Sequence, residues 1–68
     1  MNRETIRDKN FRTIGYIEEE SNGVRVARDR NFRVLGRYYP KEGVTRDPSF
    51  RIIARYDMLS ALIWEANK

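Results

Sequence analysis

The side chains in this sequence with chemistry to offer are carboxylates and guanidinium groups, and they recur in register. Arg7-Asp8-Lys9-Asn10-Phe11-Arg12 is followed by Arg28-Asp29-Arg30-Asn31-Phe32-Arg33 and again by Arg46-Asp47-Pro48-Ser49-Phe50-Arg51. Three aspartates at matching positions could gather a metal ion or share acid–base work. Their setting points elsewhere. Asp followed by Asn or Ser is turn chemistry: the carboxylate accepts hydrogen bonds from nearby backbone N–H groups, and the neighbouring Arg supplies a local ion pair. On three separate hairpin tips, Asp8, Asp29 and Asp47 are expected to be spread along a meander rather than gathered. No catalytic, metal-ligating or cofactor-binding residue is assigned.

The arginines offer more. Arg12, Arg33, Arg37, Arg51 and Arg55 would form a cationic patch if the strands align, with Tyr16 and Tyr39 interleaved. Such a face could hold single-stranded nucleic acid by stacking and phosphate contact. The aromatic RNA-binding signatures known on sheets are absent. The plainer role for these arginines is to cover apolar sheet with their stems. Trp64 is the third candidate. It falls nearly opposite the apolar stripe of a C-terminal helix, beside Ser60 and Asn67, where it could anchor a symmetric dimer or fold back over the sheet edge.

The repeat dictates the elements that carry these groups. Each copy reads as a short strand ending in Arg-Asp, a tight turn, and a longer strand from Phe, and a repeated supersecondary unit is the natural reading. The pattern predicts three hairpins over residues 3–18, 24–39 and 44–56, about six strands in an antiparallel meander. Between hairpins, Glu18-Glu19-Glu20-Ser21-Asn22-Gly23 carries the Asn-Gly hairpin signal, with the glutamates as a solvated end. Pro40-Lys41-Glu42-Gly43 is a turn by composition. Strict alternation puts Phe11, Thr13, Gly15 and Ile17 on one face and Arg12, Ile14 and Tyr16 on the other. The Phe face is expected to be the core, with Phe11, Phe32 and Phe50 buried and close together. Ile14, Leu35 and Ile53 form a second apolar row for the helix to cover in part. The small residue in every copy, Gly15, Gly36 or Ala54, implies close approach, either of another strand or of an aromatic ring laid across the backbone. The period then changes. Asp57 is a candidate N-cap for a helix within residues 57–67, with Met58, Leu59, Leu62, Ile63 and Ala66 as its apolar stripe.

Composition narrows the function. Sixty-eight residues make one domain, and a chain this short buries only about 60% of its unfolded surface. The chain has no Cys and no His. That removes disulfides, thiolate and imidazole ligands, and Ser-His, Cys-His and zinc-water catalysis. Self-association is then the remaining way to reinforce a marginal core. The charge is +4, with ten acidic residues among fourteen basic ones, eleven of these Arg. No apolar run reaches the ~20 residues of a membrane span. Met1-Asn2-Arg3-Glu4-Thr5 has no apolar region behind it and is not expected to be a signal peptide. A cysteine-free chain fits a reducing, cytoplasmic compartment.

The hairpin units resemble the short repeats of small bacterial and phage proteins described as β-flower-like, which read roughly Asp-x-x-Gly-Arg-x-x-Gly. The matching residues are Asp8, Arg12 and Gly15; Asp29, Arg33 and Gly36; and Asp47, Arg51 and Ala54. The chain departs from that pattern in having Phe11, Phe32 and Phe50 where Gly is usual, and three copies rather than four. The resemblance implies a bacterial or phage origin, a structural or binding role, and no catalytic residues. The expectation is a mostly β protein acting as a non-enzymatic interaction module, as a homodimer or docked on a protein partner, with no cofactor, membrane or small-molecule substrate. Nucleic-acid binding through the Arg and Tyr face is the alternative.

Overall fold

The computed structural model describes residues 2–68; Met1, the first residue of the stretch read for a signal peptide, lies outside them. Six strands follow one another, β1 (Asn2–Arg7), β2 (Thr13–Glu19), β3 (Arg25–Asp29), β4 (Val34–Tyr39), β5 (Val44–Arg46) and β6 (Ile52–Ala54), and a helix, α1 (Leu59–Ala66), closes the chain. The strands form one antiparallel sheet in the order β1-β2-β3-β4-β5-β6. The protein is therefore a mostly β meander with a C-terminal helix, built from three hairpin units: β1–β2, β3–β4 and β5–β6.

The three unit turns are the same structure. In the first, the Asp8 N–H donates to the Arg12 carbonyl at 3.0 Å and the Phe11 N–H to the Asp8 carbonyl at 2.9 Å. The Asp8 carboxylate accepts from the Asn10 and Arg12 N–H groups at 2.8 and 3.0 Å. Asp29 and Asp47 repeat all four bonds. This is a three-residue hairpin loop whose last residue takes the left-handed conformation, and that residue is Phe11, Phe32 or Phe50, at φ 64°, 66° and 68°.

The expected face assignment holds for Gly15, Ile17, Gly36 and Tyr38, which lie on the helix side, and is overturned for the phenylalanines and Ile14. Phe11, Phe32 and Phe50 are 81%, 44% and 60% exposed, so they are not the core. Each Phe belongs to its turn, and a register irregularity follows at the same place in every unit. Ile6 and Arg7 pair with Gly15 and Thr13, leaving Ile14 without a partner; Leu35 and Ile53 are left out in the same way. One extra residue resets the alternation of a strand. Ile14 accordingly joins Ile17, Ala27, Leu59 and Ile63 in the core, with Ile6, Leu35, Tyr38 and Leu62 packed around them. Tyr16 faces the other way. Truncating side chains this exposed to Ala does not carry the cost of about 3–5 kcal/mol expected of a buried Phe.

The helix packs chiefly on β2, β3 and β4. Leu59 and Ile63 of its apolar stripe are fully buried, while Ala66 is exposed. A Cβ at Gly15 would lie 2.6 Å from Ile63 Cγ2 and 2.6 Å from the Arg28 carbonyl oxygen; at Gly36 it would lie 2.8 Å from Leu62 Cδ1. The close approach expected of a strand is present, since the Arg46 carbonyl oxygen would also lie 2.9 Å from a Cβ at Gly36, but the aromatic ring expected as the alternative is replaced by the aliphatic side chains of the helix. In the third unit, where Ile53 is left 41% exposed, Ala54 is tolerated. Asp57 is not the residue flanking the first helical turn, a place taken by Met58. It still anchors the start: its carboxylate accepts from the Leu59 N–H at 3.0 Å and pairs with Arg25 of β3. Thr45, fully buried in β5, ties down the crossing from sheet to helix, donating to the Tyr56 carbonyl at 2.6 Å and accepting from the Met58 N–H at 3.2 Å.

Candidate interaction face

Opposite the helix, the sheet carries a layer of arginines and aromatic rings. Register puts Glu18 beside Arg3 on one side and Val26 on the other, with Arg37 and then Arg46 continuing the row. Val26 is 1% exposed on the face opposite the helix, between Glu18 and Arg37 in the row, where long arginine stems can cover apolar sheet. Glu18 is gripped from both sides: Arg28 Nε donates at 2.7 Å, and Arg3 Nε and Nη2 lie at 3.1 and 3.0 Å. The Arg28 hydrogen bond is the main influence holding the Glu18 carboxyl below its usual value; burial opposes it, and Arg3 adds to the lowering.

The turn phenylalanines reach back onto this layer. Phe32, at the tip of the second unit, stacks on Tyr16 of the first, with centroids 4.4 Å apart and planes 7° from parallel. The Arg3 guanidinium sits over the same pair, 5.7 Å from the Tyr16 ring and 5.2 Å from Phe32. Phe50, at the third tip, lies 6.0 Å from the guanidinium carbon of Arg37 in the second unit. Arg46 similarly lies over Tyr39, at 5.8 Å. The arginines before Asp29 and Asp47 lock the second and third tips: Arg28 donates to the Phe32 carbonyl at 2.9 Å and Arg46 to the Phe50 carbonyl at 2.8 Å.

The residues singled out from sequence divide. Arg12, Arg33 and Arg51 are exposed, each directly after its Phe, at the end of the sheet where the three unit turns lie. Tyr16, Arg37 and Tyr39 are part of the open face but already engaged by Phe32, Phe50 and Arg46. Arg55 is exposed just beyond β6. Trp64 is 48% exposed, Ser60 is exposed and Asn67 half-buried, its N–H bonded to the Trp64 carbonyl at 3.2 Å. Asp8, Asp29 and Asp47 sit on separate tips, each carboxylate occupied by its own turn. The Arg51 N–H is the main cause holding the Asp47 carboxyl below its usual range, with the Ser49 N–H and the Arg51 charge adding to it and desolvation opposing. Among the described residues no three acidic groups approach closely enough to hold a metal ion. A concavity lined by Asn2, Glu19, Glu20, Ser21 and Asn22 is an open hollow at the opposite end of the sheet.

Sequence reasoning missed the phenylalanines and, with them, Arg3 and Glu18. A signal for the first was present: Phe stands where the resembling repeats carry Gly, and Gly at the end of a tight turn marks a left-handed position whose side chain leaves the strand's alternation. No comparable signal marks Arg3. No family model, curated protein or solved structure matches the chain.

Proposed function

We propose that the protein is a non-enzymatic interaction module that self-associates or docks on a protein partner through its aromatic and arginine face. One observation carries this reading. Three phenylalanines are held in a left-handed conformation that disfavours bulky residues, and they remain 44% to 81% exposed there. Strain of this kind is retained where the surroundings or a function require it. Large aromatics beside arginine are also the residue types that dominate interface energies. The Trp64, Ser60 and Asn67 patch is a second surface for a partner, including a symmetric homodimer. The absence of His and Cys from the sequence supports the non-enzymatic reading. The composition and the resemblance of the hairpins fit a bacterial or phage protein of the cytoplasm.

A nucleic-acid reading is favoured by a separate observation. Each exposed Phe is followed by an exposed Arg, giving Phe11-Arg12, Phe32-Arg33 and Phe50-Arg51 along one end of the sheet. Such pairs offer a stacking ring and a phosphate contact together. Sedimentation with and without a short single-stranded oligonucleotide separates the two. The interaction reading expects concentration-dependent association of the protein alone, lost in a folded Phe11→Gly, Phe32→Gly, Phe50→Gly variant. Monomers at every soluble concentration would remove self-association. Oligonucleotide binding that falls steeply with salt, and falls again in Arg12→Ala and Arg33→Ala, would establish the nucleic-acid reading instead.

A further inference from the structure

We infer that a second copy of the chain docks head to tail, with Phe11 of one copy seated on Arg55 of the next. This rests on the self-association reading above and specifies its geometry. Two junctions between units exist inside the molecule, and they follow one rule. The turn Phe of each unit reaches back to the residue after the small residue of the unit before: Phe32 to Tyr16, which follows Gly15, and Phe50 to Arg37, which follows Gly36. The rule leaves one group unspent at each end. Phe11 has no preceding unit; it is 81% exposed, and among the described residues it makes no ring stack or cation contact. Arg55 follows Ala54 in the third unit, is exposed, and has no following unit to supply a ring.

A second set of contacts follows the same logic. Arg28 reaches Glu18 of the preceding unit and Arg46 lies over Tyr39, the matching position. Arg7, their counterpart in the first unit, is exposed and forms no side-chain hydrogen bond or ion pair among the described residues. In the third unit the position matching Glu18 and Tyr39 is Asp57, which Arg25 draws toward the helix. The trailing end therefore offers Arg55, flanked by the exposed apolar side chains of Ile52, Ile53 and Tyr56. The outer edges of β1 and β6 have no strand neighbours. β2–β3 and β4–β5 are antiparallel, so a β6–β1 junction between copies would continue the meander.

Two different surfaces meeting in this way make a heterologous interface, which closes into a ring or propagates as a chain. A symmetric interface through Trp64 would stop at a dimer. Complementation separates these cases. Phe11→Gly removes the leading ring in a turn that accepts Gly, and Arg55→Glu reverses the charge at an exposed trailing site. Circular dichroism confirms that each variant is folded, and sedimentation velocity reads assembly.

Wild type is expected to form species beyond a dimer as concentration rises. Each variant alone should need about tenfold more protein to associate. An equimolar mixture should give a discrete heterodimer, because each variant keeps the surface the other lacks. Arg55→Tyr should retain assembly, since it recreates the Tyr16–Phe32 junction. If wild type stops at a dimer that Trp64→Ala dissociates and both end variants leave intact, the head-to-tail geometry is wrong while self-association stands. A mixture no more associated than its components, with wild type associating, also overturns the geometry. Wild type that stays monomeric overturns both.

Discussion

The sheet has turns of one design at both ends, filled differently. In the loop from β2 to β3, the Glu20 N–H donates to the Val24 carbonyl at 2.8 Å and the Gly23 N–H to the Glu20 carbonyl at 2.9 Å, with Gly23 at φ 86°. Those are the backbone bonds of the three unit turns, with Gly in the left-handed place where the others carry Phe. The backbone thus needs no aromatic ring there, and placing one costs about 1–2 kcal/mol. The second unit offsets this: the Phe32–Tyr16 stack contributes about 0.5–1.5 kcal/mol. The third offsets less, since an exposed cation–ring contact such as Arg37 with Phe50 is worth about 0.5–1 kcal/mol. In the first unit no ring stack or cation contact among the described residues offsets it. The difference teaches that the tip residues were chosen for contact, and that the contact is complete only between neighbouring units.

The largest test of the comparison lies in the aspartates. Asp29→Ala deprives the Asn31 and Arg33 N–H groups of their acceptor, and should cost about 2 kcal/mol in urea unfolding. Glu20 is the corresponding residue of the glycine turn, where Asn22 instead takes the Val24 N–H at 3.0 Å. Glu20→Ala should stay within about 0.5 kcal/mol of wild type. Equal losses at the two sites would mean that the turns are not held in the way described. Next comes Gly23→Phe, which installs the strain at the other end without a partner ring. It should destabilise by about 1–2 kcal/mol, a fall in Tm of several degrees.

Much of this architecture was legible in the sequence. The three Arg-Asp-x-Asn/Ser-Phe-Arg segments gave the turns, the strand count and the meander, and the change of period at Asp57 gave the helix. The faces were legible in part. An extra residue at Ile14, Leu35 and Ile53 has the same apolar character as a regular strand residue, so counting by twos from each Phe misplaced the ring and the extra residue, while Gly15, Ile17, Gly36 and Tyr38 beyond it fell on the correct face. The open face was half legible. Tyr16 and Arg37 were identified, but what covers them depends on the left-handed Phe of the following unit. Glu18 read as one of three solvated glutamates, yet it alone is buried, because its strand neighbours are Arg3 and Val26, two residues along β3 from Arg28.

That glutamate gives the third test, at the junction the glycine end lacks. Its folded pKa lies below the unfolded value. Its contribution is therefore complete above the ordinary carboxylate pKa of about 4.3 and is lost as pH falls through the lower folded value. Glu18→Gln should cost about 1 kcal/mol at neutral pH. Thermal melts should show the gap between variant and wild type closing in acid. A gap that does not change with pH would mean that charge has no part in holding Arg3 and Arg28.

The smallest effect has the opposite sign and isolates the unpaired tip. Phe11→Gly removes a left-handed penalty of about 1–2 kcal/mol, while the added chain entropy of Gly in the unfolded state takes back about 0.5–1 kcal/mol. The ring is 81% exposed, so little burial is lost. The protein should gain about 0.5–1 kcal/mol, seen as a Tm higher by a few degrees at a concentration where wild type is monomeric. Phe11→Ala keeps a Cβ in the strained position and should show no such gain, which separates backbone relief from removal of the ring. Phe32→Gly relieves the same strain but gives up the stack on Tyr16, so its Tm should be unchanged or lower. The difference between the two glycine variants then measures what a preceding unit contributes to its neighbour's tip. If Phe11→Gly instead lowered the Tm, Phe11 would have a contact within the chain, and the contrast between an unpaired first tip and a paired second one would collapse.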